Sequence, residues 1–89
     1  MVHLSVDIGT SSTRILDANA ERNYTILIND SDTVIYIGLG HVALLNYGLR
    51  LEANGGRHEF TGDHIWRGYI DGIHGAAGTK KLIGVAFGL

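Results

Sequence analysis

Apolar residues in this chain recur at every second position rather than every third or fourth. The stretch His3–Ile8 alternates between apolar and polar residues, and the same period returns in residues 48–52 and 66–73. A period of two is typical of half-buried β-strands, because successive side chains point to opposite faces of a sheet. The chain has no proline and 13 glycines, so its turns depend on glycine, asparagine and aspartate. The sequence therefore predicts an all-β protein.

About eight short strands are expected, at roughly ten-residue spacing. They are residues 3–8, 12–16, 24–28, 33–38, 48–52, 57–61, 66–73 and 79–89. The turn at residues 29–32 (NDSD) predicts a hairpin between the third and fourth strands. Both faces of these two strands are apolar, so we expect them in a central position between two layers. Residues 53–56 (ANGG) predict another turn, and residues 41–46 are compatible with one helical turn.

The length of 89 residues predicts one small domain with a single thin core. The strand spacing favours a small antiparallel β-sandwich, or a jelly-roll-like (β-tulip-like) barrel, spanning residues 1–89. Residues 1–20 are either an N-terminal strand of this domain or an arm that engages a neighbouring subunit. The predicted core residues are Val6, Ile8, Ile15, Ile26, Ile28, Val34, Tyr36, Leu49, Leu51, Phe60, Trp66, Ile70, Ile73, Leu82, Val85 and Phe87.

Charge and composition exclude several functional classes. The net charge is −2, with 7 basic and 9 acidic residues well mixed, so there is no electrostatic signature of nucleic-acid binding. No apolar run approaches the length of a membrane span, and no signal-peptide pattern is present. The absence of cysteine excludes disulfides and thiolate metal sites. We expect a soluble, cytoplasmically made protein that binds neither nucleic acid nor membrane.

One motif suggests nucleotide chemistry. The segment Asp7-Ile8-Gly9-Thr10 resembles the first phosphate loop of sugar kinases and actin. Those ATPases close two domains over the nucleotide and use a second phosphate loop, for which this chain has no room. We therefore interpret the motif as a strand end followed by a Gly/Ser/Thr turn.

Histidines and carboxylates do not form a recognisable site. The histidines are His3, His41, His58, His64 and His74. None of them has the close spacing of metal ligands, so solvated turn residues are expected. Paired carboxylates for glycoside hydrolysis would have to come from Glu52, Glu59, Asp63 and Asp71. A domain of this size offers little depth for the required cleft, so solvated strand ends are expected and no catalytic, cofactor or metal site is predicted.

The scattered aromatic residues leave two interpretations open. They are Tyr24, Tyr36, Tyr47, Trp66 and Tyr69. In a carbohydrate-binding module they would form a flat stacking platform, whereas in most all-β proteins such residues belong to the core and to interfaces.

The connection Leu39–Tyr47 is too apolar for an ordinary solvated loop. It either folds back onto the core or docks on another chain. The C-terminal run from Leu82 to Leu89 is also apolar and needs a covering partner. The predicted interface residues are Val42, Leu44, Leu45 and Tyr47 of this connection, together with Met1, Val2 and Leu4 of the N-terminal segment.

Three segments carry a resemblance to a known family. They are residues 23–40 (NYTILINDSDTVIYIGLG), 48–56 (GLRLEANGG) and 66–75 (WRGYIDGIHG). They resemble small all-β structural proteins of tailed bacteriophage virions, namely capsid decoration (cement) proteins and related head or tail fibre modules. The shared pattern is a strand ending in Asn-x-Ser, a strand ending in Tyr-hydrophobic-Gly, and a glycine-turned hairpin. It covers residues 21–89, and the apolar segment His41–Tyr47 departs from it, since the family is often short and polar there.

The resemblance implies a non-enzymatic virion protein that decorates and stabilises the outer surface of a tailed-phage head. It implies a homotrimer, the major capsid protein as partner, and a location on the capsid exterior. The alternatives are a phage tail or fibre adaptor module and a carbohydrate-binding β-sandwich.

Overall fold

A computed structural model describes residues 1–88 and confirms the all-β prediction, with eight strands and one short 3-10 helix in that range. The strands are β1 (Val2–Ile8), β2 (Thr13–Leu16), β3 (Tyr24–Asn29), β4 (Ile35–Leu39), β5 (Leu49–Leu51), β6 (Arg57–Phe60), β7 (Ile70–Ile73) and β8 (Lys80–Phe87); the helix is Gly62–His64. Residues 41–46 are not helical. Leu89, the last residue of the eighth predicted strand, lies outside the described residues.

The strands form two four-stranded antiparallel sheets. The first sheet has the order β1-β8-β3-β6 and the second has the order β2-β7-β4-β5. Two packed sheets with this order have the topology of a jelly roll. The sheets are not closed on each other, so the structure is a sandwich rather than a barrel. Strand β1 pairs with β8 along its whole length, from Val2 opposite Ala86 to Ile8 opposite Lys80; residues 2–8 are thus a strand of this domain.

The predicted hairpin between β3 and β4 is wrong. Strand β3 pairs with β8 and β6 in the first sheet, whereas β4 pairs with β7 and β5 in the second. The NDSD turn carries the chain from one sheet to the other and is organised by the buried side chain of Asn29. Its amide nitrogen donates to the carbonyls of Thr33 (2.7 Å) and Leu51 (3.1 Å), and its oxygen accepts from Ser31 (2.6 Å).

The ANGG turn also joins strands of different sheets, β5 and β6. Asn54 and Gly55 adopt φ values of 60° and 103°, which these residue types tolerate. The amide of Gly55 donates to the carbonyl of Asn29 at 2.8 Å, so the two crossing turns brace each other. A turn sequence fixes a local bend, but it does not decide whether the flanking strands pair.

A single core fills the space between the sheets. It consists of Ile8, Ile15, Leu27, Ile35, Ile37, Leu51, Phe60, Ile70 and Leu82. Six of the predicted core residues are in it, Ile73 is also buried, and Val6, Leu49 and Trp66 lie at or near its margin. The predictions of Ile26, Ile28, Val34, Tyr36, Val85 and Phe87 as core residues are wrong, because these side chains are half-buried or exposed. Where both faces of a strand are apolar, a one-residue shift exchanges them, and the sequence cannot tell which face is inward.

The connection before β7 is held by a buried arginine. Arg22 is almost fully buried and donates to the carbonyls of Asp17 (3.0 Å), Trp66 (3.1 Å) and Gly68 (2.6 Å). Burial lowers the pKa of its guanidinium, and the nearby Arg67 lowers it further. These carbonyls bind Arg22 rather than a neighbouring strand. The alternation predicted a strand that begins at Trp66, whereas β7 begins at Ile70.

Candidate interaction surface

The apolar connection between β4 and β5 lies across the outer face of the second sheet. We call residues 40–47 the strap. Its close approach depends on Gly38, which lies beneath it: a Cβ there would be 2.7 Å from the carbonyl oxygen of His41 and 3.1 Å from that of Val42. At its start, the amide of Gly40 donates to the carbonyl of Tyr69 at 2.9 Å. The main chain of this connection is thus folded back onto its own sheet.

Ala43 anchors the middle of the strap through a polar chain. Its side chain is 2% exposed, and its amide donates to Ser12 Oγ at 2.9 Å. The hydroxyl of Ser12 in turn donates to Asp71 Oδ2 at 2.8 Å, and Arg14 Nε donates to Asp71 Oδ1 at 2.6 Å. Hydrogen bonds to Asp71, and then to Asp17, raise the pKa of the Arg14 guanidinium. The expectation that Asp71 is a solvated strand-end carboxylate is wrong, because the strap covers it.

The larger side chains of the strap point away from the sheet. Val42, Leu44, Leu45 and Tyr47 are between 47% and 59% exposed. The two alternatives for this segment therefore apply to different atoms: the main chain and Ala43 fold back, whereas the four large side chains form an apolar surface open to solvent. Several large, exposed apolar side chains within one short segment of a small domain are typical of an interaction site.

An open groove of about 320 Å³ runs beside the strap. It is lined by Thr33, Val34, Tyr36, Leu45, Asn46, Gly75 and Ala76. The hydroxyl of Tyr36 donates to the side chain of Asn46 at 2.9 Å, and Leu45 packs over Gly75. These contacts hold the second half of the strap in place, so its apolar surface is displayed on a fixed support.

The N-terminal residues predicted for the interface lie on the other sheet. Met1 and Val2 are exposed, at 66% and 39%. Leu4 is half-buried and packs against the core, so its side chain points inward. The structure therefore does not join the N-terminal residues and the strap into one surface.

A second apolar surface lies on the first sheet, and of this surface the sequence predicted only that the C-terminal run needs a covering partner. The outer face of the first sheet carries Tyr24, Ile26 and Ile28 of β3 beside Phe87, Val85 and Ile83 of β8, which are directly opposed in the ladder. Tyr24 and Phe87 meet edge to face with ring centroids 5.7 Å apart. The available signal was the apolar character of both faces of these strands. We call these six residues the bare face.

The histidines do not behave as one group. His74 was expected to be solvated but is fully buried, and it closes the turn after β7: its Nε2 lies 2.7 Å from the carbonyl of Gly78, and its Nδ1 accepts from the amide of Ala76 at 3.1 Å. His58 packs against Phe60 and His41 against Tyr47. Within residues 1–88, no three potential metal-ligating side chains come together.

The candidate carboxylates are engaged separately. Glu52 accepts from Arg50, Glu59 accepts from the hydroxyl of Tyr24, and Asp71 is bound beneath the strap. Glu59 lies on the first sheet and Asp71 on the outer face of the second, so these two do not form a pair of catalytic acids.

The segment that resembles a phosphate loop forms a local turn. Asp7 pairs with Lys81 at 2.6 Å, and the amide of Gly9 donates to the hydroxyl of Thr13 at 3.2 Å. These bonds are those of a strand end and the turn that follows it.

In the part of the chain that the structure describes, no helix is long and apolar enough to cross a membrane. A scan against protein-family models and searches of curated proteins and of solved structures each found no match to this chain.

Proposed function

We propose that this protein is a non-enzymatic structural protein of a tailed-phage virion, which decorates the outer surface of the capsid and stabilises it. The observation that carries the proposal is the strap. Its main chain is fixed on the second sheet through Gly38 and Ala43, while Val42, Leu44, Leu45 and Tyr47 remain exposed. A pre-ordered apolar surface loses little conformational entropy when it docks on a partner.

The compact sandwich suits such a role. A protein that binds only the assembled shell stabilises it by mass action, and many copies on a symmetric shell multiply a modest contact. The partners that we propose are the major capsid protein and two further copies of this chain in a homotrimer, at the capsid exterior. Strap residues would make the principal contact and the exposed Met1 and Val2 a secondary one.

The dispersion of the aromatic residues argues against a carbohydrate-binding module. Tyr24 and Phe87 lie on the first sheet, Tyr36 lies beside the strap, and Tyr47 belongs to the strap. Tyr69 lies under the guanidinium of Arg14 at 4.3 Å. A flat platform would need several of these rings on one surface. A tail or fibre adaptor would use the strap in the same way, and it differs in its partner.

The test is the double substitution L44D/L45D. Both side chains are about half exposed and lie outside the core, so the sandwich should persist with an unchanged β circular-dichroism spectrum even if the contact of Leu45 with Gly75 is lost. Two charges at the docking surface should abolish trimer formation and capsid binding. The readouts are light scattering after size exclusion, and co-sedimentation with shells of the major capsid protein encoded in the same genome. The matched control is A18D/A20D, which adds the same charge at two exposed positions outside the strap.

Full capsid binding by L44D/L45D would refute the role of the strap. If the wild-type protein does not bind the shell but binds a tail or fibre protein, the result would support the adaptor function instead of decoration.

A further inference from the structure

We propose that the bare face of the first sheet binds a second copy of this chain, related by a two-fold axis. The side chains of Ile26, Ile28, Ile83 and Val85 project from the side of β3 and β8 opposite to Leu27 and Leu82, which are in the core. No segment among residues 1–88 covers this face in the way that the strap covers the second sheet. An apolar sheet face of this kind normally packs on another layer.

The border of the bare face carries the argument for a copy of the same chain. Two neighbouring rows of directly opposed residues cross the sheet from β1 to β6. The first row, the Glu59 row, is His3, Val85, Ile26 and Glu59; the second, the Arg57 row, is Ser5, Ile83, Ile28 and Arg57. Arg57 and Glu59 are thus adjacent outward positions on the edge strand β6. Both are exposed, and neither forms an ion pair among the described residues.

The two rows are complementary to each other under rotation. The two-fold axis lies in the plane of the interface, perpendicular to the strands and midway between the two rows. It places the Arg57 row of one copy on the Glu59 row of the other. Arg57 of each copy then faces Glu59 of the second copy, and Ile28 faces Ile26. The strands of the two copies remain aligned, as in natural sheet packing, and the interface is closed because each copy buries the same face.

The size of the face sets the expected affinity. The Cα envelope of the domain measures 35 × 22 × 18 Å. Four strands about 4.8 Å apart, with about six residues each at about 3.4 Å per residue, give roughly 400 Å² per copy and on the order of 800 Å² for the pair of faces. This is the lower end of specific interfaces, so we expect a dissociation constant in the micromolar range rather than an obligate dimer.

This inference does not depend on the strap, because the two surfaces lie on different sheets. The experiment is therefore done in both the wild-type chain and L44D/L45D, by sedimentation velocity from about 1 µM to about 1 mM protein. In L44D/L45D we expect a monomer–dimer equilibrium, and in the wild type the same two-fold contact added to any assembly made through the strap. Loss of capsid binding in L44D/L45D with an intact dimer separates the two proposals.

Charge reversal tests the geometry. R57E or E59R alone places like charges together and should weaken the dimer by roughly tenfold. The double variant R57E/E59R restores opposite charges and should recover most of the affinity. The matched control is R50E, the same change on β5, an edge strand of the second sheet, where it should leave the dimer unchanged.

Three results would overturn the proposal. They are the absence of any dimer in L44D/L45D at the highest concentration, a double variant no better than its singles, and an equal loss in R50E. Binding of an unrelated protein to the bare face of a chain that stays monomeric would also overturn it.

Discussion

The two sheets of this sandwich treat their outer faces in opposite ways. At the centre of the second sheet, Gly38 lies opposite Asp71, and both are covered by the strap. At the centre of the first sheet, Ile26 lies opposite Val85, and both face outward. The covered face is lined by a glycine and a bound carboxylate, whereas the bare face is lined by aliphatic side chains. The outer face that the chain itself covers thus has a small residue and a polar one at its centre, and the outer face that it leaves uncovered has large apolar residues there.

Substituting one glycine in each sheet should give the largest effect. In G84A the new methyl group would lie on the carbonyl of Ile26 in the neighbouring strand, which cannot move without opening the ladder. In G38A it would meet the carbonyls of the strap, which has room to lift. We expect G84A to lower the free energy of unfolding by about 3 kcal/mol and G38A by about 1 kcal/mol.

Urea denaturation measures both losses, and hydrogen exchange at the amide of Ala43 reports the strap. In G38A this exchange should be faster at urea concentrations well below those that unfold the whole protein. Equal destabilisation by the two variants would show that the strap is as firmly built in as the strands.

Removing the carboxylate beneath the strap should have the next largest effect. D71A leaves the hydroxyl of Ser12 and Arg14 Nε without their acceptor beneath the covered face. We expect a loss of about 2 kcal/mol, since hydrogen bonds to a buried, charged acceptor are stronger than neutral ones, and a smaller loss for D71N, which keeps an acceptor oxygen. The control E52A removes a solvent-exposed carboxylate of the same sheet and should change stability little. A similar result for D71A and E52A in thermal unfolding would contradict the description of the covered face.

The smallest effects should come from two threonines, with opposite signs. Thr25 on β3 has a buried hydroxyl with no hydrogen-bond partner among the described residues, so T25V should stabilise the protein by about 1 kcal/mol. Thr13 on β2 accepts from the amide of Gly9 and donates to the carbonyl of Ser11, so T13V should destabilise it by about 1 kcal/mol. Calorimetric melting temperatures that shift in the same direction for both variants would contradict this assignment.

The sequence predicted the strands well because alternation is a local property. It missed the pairing of β3, since the NDSD turn looks the same whether the next strand returns beside it or crosses to the other sheet. The predicted core face was wrong for β3, and for β8 at Val85 and Phe87, because neighbouring residues such as Ile26 and Leu27 are equally apolar. The burial of Asp71 and His74 depends on a strap and a turn that close over them, and no neighbouring residue in the sequence signals either. The apolar composition of the strap, in contrast, was visible directly.

The strand order also has a consequence for how the chain reaches its fold. Among residues 1–88, six of the seven connections between consecutive strands cross from one sheet to the other, and β1 pairs only with β8. Strand β1 is therefore synthesised well before its partner β8, and most of the eight described strands do not pair with a strand that is next to them in the sequence. The pair β4 and β5, joined through the strap, is the exception. The strap is therefore the loop that closes the one pair of sheet neighbours, among residues 1–88, that are also consecutive in the sequence, and that pair forms the first sheet contact available during synthesis.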